Sequence, residues 1–339
     1  MQFTKLLRTK LNLVMRSPLS LLPQNTSPEP KILIAVSGGQ DSICLAKLLQ
    51  MQQAKFGWHL AIAHCDHRWR EDSQANADHV ARFAQDLGLD FILRTADIVP
   101  KSEASARHWR YEMLAEMAKK HDCGYVVTGH TRSDRVETCL YNLMRGSGAD
   151  GLAALSWRRS LTDGIELVRP LLNVSRAETA GFCMENQIAI WEDSTNADLS
   201  YRRNRLRLET IPYLQANFNP QLEVAIAQTA ELLQEDVRYL ENQAQNFFQE
   251  NITVVWNEPP RLQCELLREQ PLALQRRIVR QFLGRYLKHQ VNFEDVERFL
   301  NLLTVQNRSQ SSPFTGQLVA MLEHPWIVLQ SRLANNHDT

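Results

Sequence analysis

The stretch Lys31-Ile-Leu-Ile-Ala-Val-Ser-Gly-Gly-Gln-Asp-Ser42 runs an unbroken apolar segment into two glycines framed by Ser37, Gln40, Asp41 and Ser42. A strand buried on both faces is written this way, and its polar residues then fall at the carboxyl end, where open parallel sheets bind ligands. Gly38 and Gly39 let the backbone turn sharply and approach an anion. Ser37 and Ser42 add hydroxyl donors, and a helix opening near Asp41 points the positive end of its dipole at the same place. The combination is a phosphate cradle with one carboxylate, Asp41, available to a divalent cation. It is not a dinucleotide fingerprint, because G-x-G-x-x-G is absent, and not a Walker loop, because G-x-x-x-x-G-K-[ST] occurs nowhere. The remaining rival is an ordinary strand-to-helix turn.

Further groups with chemistry follow along the chain. His64-Cys65-Asp66-His67-Arg68-Trp69-Arg70 closes a second apolar segment. It admits a metal set, local structural histidines, or positioning of a nucleotide by His64, although a fixed tetrahedral metal usually draws ligands from two segments. Arg68 and Arg70 flank Trp69 and offer charge with stacking, as a site for a splayed RNA base would. Arg107, Arg110 and Tyr111 lie three or four apart on one helical face, facing either phosphate or solvent. In Gly129-His-Thr-Arg-Ser-Asp-Arg-Val-Glu-Thr138, His130 sits at a strand end with Asp134 and Glu137 on one face of the next helix. His130 could orient a phosphate or take a proton. The two acids read as Mg²⁺ ligands beside Asp41 or as partners for a substrate ammonium; helix capping explains Ser133 or Asp134 but not Glu137. Arg145-Gly-Ser-Gly148 is a flexible cationic loop. Tyr201-Arg-Arg-Asn-Arg-Leu-Arg207 carries four arginines, with Arg203 and Arg207 on one face as a phosphate clamp or as ordinary surface ion pairs.

These groups need a frame that gathers strand ends. Apolar segments at 31–36, 58–63, 90–94 and 124–128 alternate with amphipathic helices, which predicts an α/β, doubly wound, mostly parallel sheet, extended by a strand near 165–168 and a helix at 175–186. After Pro220 the texture changes. A long helix from Leu222 to about 250, a strand at 252–256, helices near 262–288 and 293–304, and a hairpin at 317–322 and 326–330 predict a smaller α+β C-terminal domain. The division expected is 1–30 for an N-terminal helix and linker, 31–216 for the catalytic domain and 217–339 for an accessory domain that holds a large partner.

Composition narrows the class. The 339 residues carry 38 basic and 38 acidic side chains, so nucleic acid must be held by local patches and not by bulk charge. The six cysteines never form C-x-x-C, which argues against a zinc knuckle or redox pair and for a reducing, cytoplasmic setting. No apolar run approaches the roughly 20 residues of a membrane span. Residues 1–28 lack acids and carry Lys5, Arg8, Lys10 and Arg16; Phe3, Leu6, Leu7 and Leu11 recur at helical spacing, which favours a helix over a targeting peptide.

S-G-G-Q-D-S in this context resembles the pyrophosphate-binding loop of the N-type ATP pyrophosphatases. Taken with H-C-D-H and Arg70, A-R-H-W-R-Y, G-H-T-R-S-D-R-V-E-T, R-G-S-G-A-D-G-L, R-P-L-L at 169–172, W-E-D-S-T-N and Y-R-R-N-R-L-R, the chain from Lys31 to Arg207 is similar to the tRNA(Ile)-lysidine synthases, in a short form. The chain departs from the family pattern at Ser133, where an acid is usual, and at Arg68-Trp69, where Gly-Leu is usual. The resemblance implies ATP and Mg²⁺ as cofactors, with tRNA(Ile) bearing a CAU anticodon and free L-lysine as partners; a homodimer is compatible with it. It implies adenylation of the wobble cytidine followed by attack of lysine. Ser37, Gly38, Gly39, Gln40, Asp41, Ser42 and His64 would bind the nucleotide, and Asp41, Asp134 and Glu137 the metal. Asp41, His130, Asp134, Glu137, Arg107 and Arg203 would serve catalysis, and Arg68, Trp69, Arg70, Arg110, Arg145 and Arg207 the tRNA. A tRNA-thiolating enzyme and a non-catalytic ATP sensor are the alternatives, the first disfavoured by the missing C-x-x-C.

Overall fold

The structure is a computed structural model that describes residues 1–16, 22–23, 29–192, 197–251, 259–287, 289–314 and 318–331. The chain divides into two compact units, Met1–Gln234 and Glu235–Thr339.

The first unit is built on a six-stranded sheet of β1 (Lys31–Ala35), β2 (His59–Asp66), β3 (Asp90–Thr95), β4 (Tyr125–Thr128), β5 (Arg158–Thr162) and β6 (Ile165–Val168), in the order β3-β2-β1-β4-β6-β5. Every neighbouring pair is parallel except β5 with β6. The chain winds outward from β1 to β3 and then returns to the other side of β1 as β4. The carboxyl ends of β1 and β4 therefore bound a crevice, the place where such sheets take ligands.

Period-two alternation assigns the faces. Ile32 and Ile34 pack with α1 (Gln2–Arg16), α2 (Gln40–Gln50), α4 (Ser73–Leu87) and α8 (Arg176–Glu185), while Leu33 packs with Ala63, Val126 and Leu167 under Leu114, Met117 and Ala118 of α5 (Glu103–Lys120). The short helix α3 (Gln53–Phe56) ends in Gly57 at φ 67 before β2. Beyond β4 come α6 (Arg132–Met144) and α7 (Ala149–Leu152). After α8 the chain forms α9 (Arg202–Arg205), a π-helical turn Leu206–Thr210, α10 (Ile211–Asn217) and α11 (Leu222–Asn251). The N-terminal helix belongs to this unit: Leu7 and Leu11 are buried, Thr4 donates from its N–H and hydroxyl to Glu185 at 2.7 and 2.8 Å, and Lys10 pairs with Glu178 at 2.5 Å.

The second unit holds β7 (Arg261–Gln263), α12 (Cys264–Arg268), α13 (Leu272–Tyr286), α14 (Phe293–Leu300), β8 (Leu318–Glu323) and β9 (Trp326–Ser331), with an antiparallel sheet in the order β7-β9-β8. Phe248, Phe282, Leu283 and Phe299 are among its buried core.

Four expectations shift. Strand β2 runs to Asp66, so His64 and Asp66 lie on the strand and not beyond it. Strand β5 was not expected, because Arg158-Arg-Ser-Leu-Thr162 is a mostly exposed edge without an apolar run; it is set by the turn to β6, where Gly164 takes φ 74. The helix expected at 262–288 opens as β7 and restarts at Leu272, since Pro271 caps the new helix in an extended conformation. The boundary expected at 216 falls at 234, inside α11, because the first half of that helix carries partners of α6. Glu223 accepts a hydrogen bond from Ser133, and Glu231 pairs with Arg135 at 2.5 Å and accepts from Trp157. The strand expected at 252–256 and part of the Trp191–Asn196 loop lie outside the described residues.

Candidate active site

The loop after β1 is held from all sides. Gly38 adopts φ 92, a conformation that strains any larger residue, and a Cβ there would sit 2.2 Å from Asn76 Oδ1 and displace that side chain. Asn76 donates to the Ser37 carbonyl at 3.0 Å, and the Trp191 N–H donates to the Gly38 carbonyl at 2.9 Å. Ser42 Oγ accepts from the Ser37 N–H at 3.1 Å and donates to the Gly39 carbonyl at 2.9 Å. Gly39 caps α2, so the first N–H groups of that helix open on the crevice.

Asp41 and Asp134 approach this loop from α2 and α6. The close approach is made by Gly129, whose Cβ would stand 2.9 Å from the Asp41 carbonyl and from Ser42 Cα. Thr179 donates to Asp41 at 2.5 Å and Arg176 stands 3.5 Å from it, both from α8. Burial, reinforced by the neighbouring Asp134, nonetheless pushes the Asp41 carboxyl above the usual range against the pull of Arg176. Asp134 behaves oppositely. Burial works against its ionisation, but the adjacent His130, the Thr131 N–H and hydroxyl, each at 2.8 Å, and Arg176 hold it below the usual range. Two carboxylates beside amide and hydroxyl donors fit a Mg²⁺ that takes its other ligands from phosphate oxygens and water.

Two histidines stand on either side of β1, His64 within β2 and His130 just after β4. His64 donates from Nδ1 to the Val36 carbonyl at 2.7 Å, leaving Nε2 as an acceptor, and burial keeps it below its ordinary value. His130 pairs through Nδ1 with Thr128 Oγ1 at 2.8 Å. Burial, aided by Arg169, Arg107 and Arg110, pushes it down to about 3 despite Asp134, so its imidazole is neutral at any physiological pH.

These groups line one cavity of about 580 Å³. From the nucleotide set it collects Ser37, Gly39, Gln40, Asp41, Ser42 and His64; from the catalytic set Arg107, His130, Asp134 and Arg203; and Trp69, Arg70, Arg110 and Arg207 among residues assigned to RNA. Four predicted residues are not on its wall. Gly38 is turned away beneath Trp191. Arg68, at φ 59, gives its N–H to Asp66 at 2.8 Å and reaches back to the Ala96 carbonyl at 3.4 Å. Arg145 caps α6 and lies 5.5 Å from the Tyr141 ring. Glu137 receives both nitrogens of Arg207 at 2.6 and 2.8 Å, and lines a smaller space of about 410 Å³ that shares Arg176 and Arg207 with the first. Arg203 stands 3.6 Å from Glu103, so both arginines of the clamp carry ion-pair partners.

Among the described residues no group of three or more histidines, cysteines or acids is placed to hold a metal by itself. In His64–His67 the side chains diverge: Asp66 accepts from the Arg68 N–H, and the His67 ring lies 4.8 Å from that of Trp69, tilted by 51°. The residues missed in the sequence are Asn76, Gly129, Arg176 and Thr179. Each acts by meeting a loop distant in sequence; Gly129 alone carried a local signal, as a glycine directly after a strand.

A family model described as a PP-loop domain matches residues 10–214. The tRNA(Ile)-lysidine synthase of Nostoc sp. (strain PCC 7120) is 55% identical over 314 residues, covering 89% of this chain and 91% of its own length. That of Synechocystis sp. (strain PCC 6803) is 49% identical over 299 residues, covering 86% and 89%. The chloroplastic tRNA(Ile)-lysidine synthase of Zygnema circumcarinatum is 36% identical over 339 residues, covering 86% and 81%. Among solved structures, the U34-tRNA thiolase NcsA of Methanococcus maripaludis superposes with a TM-score of 0.57 at 16% identity, over 68% of this chain and 79% of that one, a likeness of fold.

Proposed function

The chain belongs to the tRNA(Ile)-lysidine synthase family of PP-loop proteins, and on that premise we propose that it uses ATP to join L-lysine to C2 of the wobble cytidine in the CAU anticodon of tRNA(Ile), releasing AMP and pyrophosphate. The observation that carries this reading is the meeting of the Ser37–Ser42 loop with Asp41, Asp134 and a neutral His130 at the crevice between β1 and β4.

In the first step the C2 oxygen of cytidine forms a bond to the α-phosphorus and pyrophosphate leaves. The Gly39 N–H, the open amides of α2 and the hydroxyls of Ser37 and Ser42 face the phosphates. A Mg²⁺ held by Asp41 and Asp134 would neutralise charge building on the leaving group. His130, being uncharged, serves as a hydrogen-bonding group that orients a phosphate oxygen, and is too weak a base to hold the proton released by lysine. In the second step the ε-amine of lysine bonds to C2 and AMP leaves with the former C2 oxygen. Asp134, kept ionised by Thr131, is the acid suited to receive the ammonium before it gives up its proton. Glu137 supports it indirectly by fixing Arg207, which also stands 3.7 Å from Asp134. Trp69, Arg70 and Arg110 are the cavity residues we assign to the anticodon, and the second unit to the tRNA body.

The test is formation of AMP and pyrophosphate from ATP with lysine or unmodified tRNA omitted in turn. Pyrophosphate release is expected only when tRNA is present, and AMP and lysidine only when lysine is added as well. ATP held without any turnover would indicate a sensor, and turnover indifferent to both omissions would reject the proposal.

A further inference from the structure

The amination step leaves a proton to be placed. Lysine brings its ε-nitrogen as an ammonium that ordinarily ionises at about 10.4, and the nitrogen must shed a proton before it can bond to C2. The groups at that end of the cavity are poor acceptors: burial pushes His130 down to about 3, and Asp134 is held below the usual carboxylate range. Elsewhere on the wall, burial depresses His64 and pushes the Cys65 thiol up to about 12, so that it stays protonated. Tyr111 differs from all of these.

Tyr111 stands on α5 and lines the cavity with Arg107, Leu114, Thr128 and His130. Its phenol hydrogen-bonds to Arg169, which follows β6, while the guanidiniums of Arg107 from α5 and Arg159 from β5 lie 5.2 and 5.0 Å from its ring centre. Arg169 is 2% exposed, donates to the Ser156 carbonyl at 2.7 Å and has no carboxylate partner among the described residues. A guanidinium keeps its proton at any physiological pH, so a buried one calls for a counter-charge, and the Tyr111 phenol is the acidic group that hydrogen-bonds to it. Burial works against ionisation of that phenol, but Arg107, Arg169 and Arg159 bring it below the ordinary range. The topology fixes its place. Strands β4 and β6 are parallel neighbours, so His130 and Arg169 follow them at the same end of the sheet, and Arg169 and Arg107 act on His130 as well as on Tyr111. Tyr111 therefore belongs to the His130 and Asp134 end of the cavity, not to the end of β2 that leads to Trp69 and Arg70.

We infer that Tyr111, as a phenolate backed by Arg169, is the catalytic residue that takes the proton from the ε-nitrogen of lysine in the step that displaces AMP. An O–H bond forms on the phenol as an N–H bond breaks, and the freed lone pair bonds to C2. The nitrogen's second proton, made more acidic by bonding to C2, passes to water as the C2–O bond breaks towards AMP, and the phenol gives its proton up to water between turnovers. Arg169 and Arg159 are positioning residues, since they act through Tyr111. The inference rests on the lysine-ligating reading of the cavity.

The test separates the two steps in the full chain: pyrophosphate release with tRNA alone, then AMP release when lysine is added to the adenylated tRNA, each across pH. Tyr111→Phe should slow AMP release roughly 100- to 10,000-fold at neutral pH, the span of general-base catalysis, and leave pyrophosphate release as in the wild type, which also shows that the variant folds. The wild-type rate should level off above the phenol's lowered ionisation, whereas that of Tyr111→Phe should keep climbing as free amine accumulates, so the gap narrows at alkaline pH. Arg159 is exposed on an edge strand, so Arg159→Met should fold and move the levelling to higher pH; Arg158→Met, altering the neighbouring arginine paired with Glu166, should not. Spectroscopic titration without substrates should show one tyrosinate band growing at lower pH than the rest and missing in Tyr111→Phe. AMP release at the wild-type rate in Tyr111→Phe would overturn the inference, and so would an equal loss in both steps, a gap independent of pH, or a Tyr111 band at the ordinary position. Failure of the wild-type chain to adenylate tRNA would instead sink the proposed function, while normal adenylation with a lysine step indifferent to Tyr111 would sink this inference alone.

Discussion

Single side chains here are tuned by what surrounds them, and the tuning has measurable signs. The Asp41 carboxyl is raised by burial, so lowering the pH protonates it sooner than an ordinary aspartate and removes a cation ligand. Affinity for Mg²⁺ and ATP should therefore fall as the pH drops through that raised value. Asp41→Asn should weaken binding and flatten the pH dependence. Thr179→Val removes a hydrogen bond to the charged form and should move the fall to higher pH; titration of ATP binding across pH decides both. His130 gives a stability signature. Its folded pKa of about 3 lies below the ordinary value near 6.5, so it is neutral in both states above pH 6.5, and below that the unfolded chain takes up a proton that the native chain refuses. Stability should decline between about pH 6.5 and 3 with a slope of at most ~1.4 kcal/mol per pH unit from this group. His130→Gln should remove that part of the slope in denaturant titrations at stepped pH, and an unchanged slope would show the imidazole to be charged in the native state. The identities of these residues were legible in the sequence, because a strand, two glycines and a Ser-Asp-Ser frame form a short-range pattern. Their electrostatic states were not, since those depend on Thr179, Arg176 and Arg169, which reach the site from β6 and α8.

At the scale of elements, the site exists because two strand-to-helix loops nearly touch. Gly129 is the contact. Gly129→Ala places a methyl 2.9 Å from backbone atoms of Asp41 and Ser42, which cannot rotate away. It should cost about 1–3 kcal/mol of stability by overpacking and weaken ATP binding together with it, measured by denaturation and calorimetry on the same protein. Full ATP affinity in this variant would show that the loops separate without harm. Alternation of apolar strands with amphipathic helices announced the parallel sheet, and the apolar stripe of Leu7 and Leu11 announced the first helix. Strand β5 escaped because an exposed edge needs no apolar run, and the end of β2 escaped because His64 and Asp66 are polar residues buried within a strand. Polarity read as a loop signal fails wherever the site itself is part of the sheet.

At the scale of the whole molecule, α11 spans the boundary between the two compact units, whereas the sequence reading assigns all of it to the accessory domain. Its first half serves the catalytic unit through Glu223 and Glu231, the latter paired with the buried Arg135 and accepting from Trp157 at 2.8 and 2.9 Å. Glu231→Gln leaves that guanidinium without its counter-charge; because Glu231 itself is partly exposed, the cost should be about 1–3 kcal/mol, seen as a lower unfolding midpoint. Cutting the chain at 216, where composition alone places the boundary, should destabilise the catalytic unit by more than cutting near 251, since only the first removes both acids. Equal stability of the two truncations would contradict this division.

The central claim is that the crevice between β1 and β4 delivers the α-phosphate of ATP to tRNA. The direct measurement is transfer of label from α-³²P-ATP to an unmodified CAU-anticodon tRNA with lysine withheld. Label should accumulate on the tRNA, depend on Asp41 and Ser42, and be released as AMP when lysine is added. No label on the tRNA, or label that persists in Asp41→Asn and Ser42→Ala variants, would contradict the account.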